Sequence, residues 1–170
     1  MILKIFQREI ERQCRFAIIA MDEIKHGLLN NNSDIVWYAI QNFLVAVGNI
    51  SKFFWPNQKY QKRGEELRKS LGIKDNSPIQ PRNFRNHFEH FDERLESWAT
   101  SSKRHNFVDS NIGSSNMIAG IATEDFLRNF DNTTWTVTFR GDKYQLEPII
   151  HVIYDLYRRV SIEANKPWWE

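Results

Sequence analysis

A mainly α-helical, up-and-down bundle with a small antiparallel sheet or hairpin inserted before its last helix is the fold the sequence predicts, as a single domain over residues 1–170. Three observations carry that expectation. Apolar residues recur at helical spacing over residues 2–29, residues 134–139 alternate apolar with polar, and a second helical stripe follows Pro148. A chain of 170 residues, 41% hydrophobic and 26% charged, has the size and balance of one globular domain with one core.

In the first helix, residues 2–29, Ile5, Phe6, Ile10, Cys14, Ala17, Ile18, Met21, Ile24 and Leu28 lie on one face with charges between them. The run Asn30-Asn31-Asn32-Ser33 ends it, and Ser33 is the expected N-cap of a second helix over residues 34–54. Pro56 stops that helix, because proline disfavours helical backbone in the residue before it. So short a connection makes the two helices antiparallel neighbours. A shorter polar helix follows over residues 60–71, with Gly72 as its C-terminal cap. Residues 74–81 read as a loop, and Pro81 suits the first turn of a fourth helix, residues 82–101, where a missing N–H costs nothing.

Residues 101–115 are rich in Ser and Asn and predict a loop. The β portion is expected within residues 116–145. It comprises a short strand at 116–121 and a small antiparallel sheet of residues 126–130, 134–140 and 143–145, with Asp131-Asn132 and Gly141-Asp142 as turn pairs. Arg140-Gly141-Asp142 spells an adhesion tripeptide, taken here as chance. Pro148 opens the last helix, residues 148–165, whose stripe of Ile149, Ile153, Leu156 and Val160 closes the bundle.

Several classes of function are set aside by composition. The longest apolar run, residues 16–21, is too short to span a bilayer, and the first nine residues carry charges where a signal peptide needs an apolar block. A cytoplasmic protein with no membrane partner is expected. Cys14 stands alone among apolar neighbours, which excludes an internal disulfide or a CxxC site and suits a buried thiol acting as a small hydrophobe. With 7 glycines and no phosphate-cradling loop, nucleophile elbow or dinucleotide fingerprint, no cofactor is expected. A formal charge of +2 permits an anionic partner without requiring one. His26 and His151 are isolated on helical segments, and His105 lies in a polar loop.

The fourth helix concentrates the unusual residues. At about 100° per residue, Phe84, Phe88, Phe91, Leu95 and Trp98 form a core stripe roughly 80° wide. Arg82, Asn86, Glu89 and Glu93 take the opposite side, with Arg85 and His90 at its edges and His87 close to the phenylalanines. Ion pairs four residues apart explain charges on such a face. They do not explain doubled asparagines and histidines, which are weak helix formers.

The segment Arg85-Asn86-His87-Phe88-Glu89-His90 resembles the signature of the HEPN superfamily, an arginine followed by a polar residue and then, four to six positions on, a histidine on a late helix of a bundle. Arg85, Asn86 and His90 match it, and the order of helices agrees. Arg82, Asn83 and His87 fit the same spacing as a second register. The first set is preferred because His90 faces away from the core, whereas His87 is placed to pack and hydrogen-bond beside the aromatic stripe.

The resemblance implies a metal-independent endoribonuclease acting as a homodimer through the helix of residues 82–98, in stress response or defence. Its 2′,3′-cyclic phosphate and 5′-hydroxyl products come from attack of the RNA 2′-hydroxyl on the adjacent phosphate. Without a metal, such chemistry needs a side chain that moves protons near neutral pH and a fixed cation for the charge on phosphorus, roles that fall to His90 and Arg85. Asn86 would orient His90 or a phosphate oxygen. On one helix Arg85 and His90 stand roughly 140° apart, and a two-fold dimer brings the two sets together.

Arg94, Lys62 and Arg63, the last two in a basic group with Lys59, Arg68 and Lys69, are the expected nucleic-acid contacts. Against this stand Glu89, Asp92, Glu93 and Glu96, whose charge repels RNA. Some HEPN toxins carry a modifiable tyrosine two residues after the signature histidine; Asp92 is there instead. The alternative is a non-catalytic HEPN-like module that binds nucleic acid or assembles with a protein partner. No metal is expected, since His87 is followed by Phe88 and the HExxH arrangement is absent. The aromatic clusters Phe53-Phe54-Trp55-Pro56 and Pro167-Trp168-Trp169 are read as clamps on helix ends in preference to exposed anchors.

Overall fold

In the computed structural model, residues 2–101, 105–115, 118–122 and 125–167 are described, apart from the side chain of Phe84. Helix α1 spans Ile2–Leu29 and α2 spans Ser33–Phe54, packed against each other. A single 3-10 turn, Gln58–Tyr60, leads into α3, Gln61–Leu71. After a loop come α4, Asn83–Glu89, and α5, Phe91–Ser101. Four short strands follow, β1 (Asn111–Ile112), β2 (Arg128–Asp131), β3 (Thr136–Phe139) and β4 (Asp142–Gln145), before α6, Leu146–Asn165. The chain is thus mainly helical, with a small sheet near its C-terminal end. Among the described residues no helix is long and apolar enough to cross a membrane.

The core lies where the helical stripes meet. Ile10, Cys14, Ala17 and Ile24 of α1 are fully buried, as are Val36, Ile40, Ile50 and Phe54 of α2 and Leu156 and Val160 of α6. Ile5, expected on the buried face, is 56% exposed. Helix ends obey local chemistry with shifts of one or two residues. Asn32, not Ser33, caps α2, its side-chain oxygen accepting from the Ile35 N–H at 3.1 Å. Gly72 ends α3 in left-handed backbone, φ 62°. Pro81 lies outside the helix it was expected to open, because α4 starts at Asn83, and α6 begins two residues before Pro148.

Two expectations fail more substantially. Residues 118–120 form a bend and turn and residue 121 is irregular, instead of a strand, while residues 116 and 117 lie outside the described residues. The extra strand is β1, which pairs parallel with β2 as Asn111 opposite Asn129 and Ile112 opposite Phe130. The β2–β3–β4 meander is antiparallel as expected. The long helix over residues 82–101 is also interrupted. His90 takes φ −114° and ψ 41°, outside helical values, although its N–H still donates to the Asn86 carbonyl at 3.0 Å. Weak helix formers at Asn83, Asn86, His87 and His90 offer little resistance to this break. The break helps three neighbours share one partner: His87 stacks on Phe139 at 4.6 Å, while Phe88 and Phe91 meet the same ring edge-on at 5.9 and 6.2 Å.

The sheet therefore holds the two short helices in place. Val137 and Phe139 point inward and are fully buried, with Thr136 and Thr138 on the other face. The β3–β4 turn uses Arg140 and Gly141, both at positive φ (46° and 91°), as a two-residue type I′ turn requires. Its charged ends turn back onto the helices. Arg140 donates to Ser97 Oγ at 2.9 Å and Ser101 Oγ at 3.1 Å, and Asp142 meets His87, so the tripeptide is engaged within the fold. Leu95, expected in the core stripe, is 38% exposed, whereas Trp98 is buried with its Nε1–H donating to the Asp125 carbonyl at 3.0 Å.

Candidate functional site

Helix α4 lies against α2 because Gly48 leaves room for it. A Cβ at that position would stand 2.5 Å from Cδ of Arg85, so the arginine chain crosses α2 where no other residue would fit without movement. Its side chain is only 13% exposed and forms an ion pair with Glu89 one turn along α4.

Beside this crossing is an open groove of about 560 Å³. Three cations line it: Lys52 from α2, Arg82 at the N-terminal cap of α4 and Arg85 within α4. Three amide side chains, Gln80, Asn83 and Asn86, add donors and acceptors. Trp55 and Pro81 complete the wall, and among the described residues no carboxylate lines it. The approach of residue 80 is fixed by Ser51, whose Oγ donates to the Gln80 carbonyl at 2.8 Å. Arg82-Asn83 and Arg85-Asn86, the two alternative registers, thus contribute to one surface.

The two histidines part company. His87 is 8% exposed, stacked on Phe139, with Nε2 3.1 Å from Asp142 Oδ2. Burial lowers its pKa below the ordinary value of 6.5; Asp142 opposes that effect and the charge of Arg94 adds to it. His90 sits at the helix break with a side chain 55% exposed and Nδ1 3.4 Å from Glu93 Oε1. It does not line the groove. Because the backbone departs from helical geometry at His90, the angle of roughly 140° expected between Arg85 and His90 on a continuous helix does not describe their separation.

The expected nucleic-acid contacts lie elsewhere. Lys62 is exposed on α3, outside the groove. Arg63 spends its guanidinium on the rings of Phe6 and Tyr60, at 4.2 and 5.0 Å, and Arg94 is half-buried on α5. Trp168 and Trp169 fall outside the described residues. Lys52, Trp55, Gln80 and Pro81 are the groove residues that sequence reasoning did not assign to the site. The available signal was the run Lys52-Phe53-Phe54-Trp55-Pro56, a cation and aromatics at a helix end, but nothing local says that this end meets the start of α4.

Among the described residues no three His, Cys, Asp or Glu side chains are grouped to hold a metal ion. The chemistry on offer is that of cations, amides and one exposed imidazole. No protein-family model matches this chain, and no curated protein or solved structure matches it significantly.

Proposed function

We propose that this chain is a HEPN-like helical domain that cleaves RNA without a metal, as a homodimer in which two signature segments face each other. The observation that carries the reading is the groove that collects Lys52, Arg82 and Arg85 with three amides and, among the described residues, no lining carboxylate, beside the helix whose C-terminal cap is the exposed His90. In this scheme the RNA 2′-oxygen attacks the adjacent phosphorus and loses its proton to one His90. The bond from phosphorus to the 5′-oxygen breaks, and that oxygen takes a proton from the protonated imidazole supplied by the second copy. Arg85 counters the charge that builds on the phosphoryl oxygens, and Asn86 orients a phosphate oxygen or the imidazole. In this reading the dimer supplies the second imidazole, so that one His90 acts as base and its copy as acid.

A second reading, a non-catalytic HEPN-like binding or assembly module, is favoured by the charges already in place: Arg85 is held by Glu89, and His90 stands beside Glu93. The two are separated by incubating a mixed labelled RNA in EDTA with wild type, His90→Ala and His87→Gln and identifying the ends formed. Cyclic-phosphate and 5′-hydroxyl ends are expected, with cleavage reduced on the order of 100-fold or more by His90→Ala and retained by folded His87→Gln. Intact RNA after incubation with folded, dimeric wild-type protein would rule out the nuclease and leave the module.

A further inference from the structure

We infer that the groove beside α4 holds one unpaired nucleotide of single-stranded RNA, its base stacked on Trp55 and its flanking phosphates on Lys52 and Arg82. The inference rests on the RNA reading above and adds the substrate's strandedness and the residues that recognise it. About 560 Å³ lies within the range of small-ligand sites and leaves room for a nucleotide.

The walls divide by chemistry as a nucleotide does. Trp55 is the only aromatic residue lining the groove among the described residues, and it is held firmly. Its backbone N–H donates to the Ser51 carbonyl at 2.8 Å, while its ring meets Phe54 edge-on at 5.8 Å and the Arg68 guanidinium lies 5.5 Å from its centroid. A pre-positioned indole is a stacking platform that accepts any base, because every base presents a π-face. A duplex keeps its bases stacked on each other and offers none to such a wall.

Lys52 and Arg82 are exposed at the groove and suited to phosphate contact. Arg85 is less available, being buried to 13% exposure and paired with Glu89. Gln80, Asn83 and Asn86 each carry a donor and an acceptor, which is the equipment for reading a base edge. The substrate contact is thereby assigned to the end of α2 and the segment before α4, in place of the basic group on α3.

The test uses the His90→Ala variant of the 170-residue chain in EDTA, so that bound RNA stays intact, with a fluorescent 12-nucleotide RNA presented alone or in a duplex. Single-stranded RNA should bind, and the duplex at least about 10-fold more weakly. Trp55→Ala should weaken single-strand binding roughly 5- to 150-fold, with most of it restored in Trp55→Phe. Arg82→Gln, on an exposed residue whose loss does not disturb the core, should lower the slope of log affinity against log salt by about 0.7. Equal binding of duplex, or affinity unchanged by both Trp55→Ala and Arg82→Gln, would overturn the inference. Binding as described without cleavage by the wild type would sink the nuclease alone. Cleavage that survives Trp55→Ala and Arg82→Gln unchanged would sink this inference and spare the nuclease.

Discussion

His87 shows how one side chain can carry the imprint of the whole environment. It is buried between α4 and the β3–β4 hairpin, facing the Phe139 ring, the Asp142 carboxylate and the charge of Arg94. Desolvation outweighs the attraction of Asp142, so the folded protein binds a proton at His87 less readily than the unfolded chain does. The direction of the pH effect follows. Above the unfolded value of about 6.5 both states are neutral and the contribution is complete; as pH falls below it, the unfolded state protonates first and stability declines until the lowered folded pKa is passed. Urea midpoints measured from pH 8 to pH 5 should fall, and His87→Gln should flatten that slope. An identical slope in the variant would mean that other groups govern it. Cys14 is the opposite case of a group removed from titration altogether, its thiol pushed up to about 12 by burial, with Glu11 adding to the effect.

At the scale of elements, glycines decide how closely helices approach. Gly64 of α3 faces the end of α2, where a Cβ would lie 2.5 Å from the Phe54 carbonyl oxygen and 2.5 Å from Cδ of Pro56. Alanine is the better helix former by about 1 kcal/mol, but here the obstacle is backbone and ring, which cannot rotate away. Gly64→Ala is therefore expected to destabilise the fold by about 1–3 kcal/mol in urea unfolding, and a gain in stability would refute the close contact. The same junction sets the groove. Arg68 donates to the Phe54 carbonyl and lies over Trp55, so α3 holds the end of α2 that presents Lys52 and Trp55 to the start of α4.

Across the whole molecule, the sheet and the helices behave as mutually dependent parts. Phe139 is fully buried and is met by His87, Phe88 and Phe91. Arg128 of β2 adds a second tie: its guanidinium lies 5.4 Å from the Trp37 ring of α2 and 4.8 Å from the Phe91 ring of α5, and it pairs with Asp109. Asp109 feels burial first, which raises its pKa, yet the hydrogen bonds and charge of Arg128 prevail and lower it. Phe139→Ala should cost about 3–5 kcal/mol and raise amide exchange in α4 and α5 more than in α1 and α2. Uniform loosening of every helix would instead indicate that the hairpin stabilises the core without a preferred client.

Much of the helical framework was legible in order. The stripes of α1, α2 and α6 needed only the 3.6-residue period, the β2–β4 meander needed alternation and turn residues, and Gly72 announced the end of α3. His87 could be told from His90 by its side of the helix. What the sequence could not determine is everything that depends on segments distant along the chain. The break at His90, the burial of His87 beneath a hairpin 55 residues away and the meeting of Lys52 and Trp55 with Arg82 depend on such contacts. Periodicity states which face of an element is apolar; only the packing of elements states what that face meets, because that choice is made by shape and burial between residues that no local pattern connects.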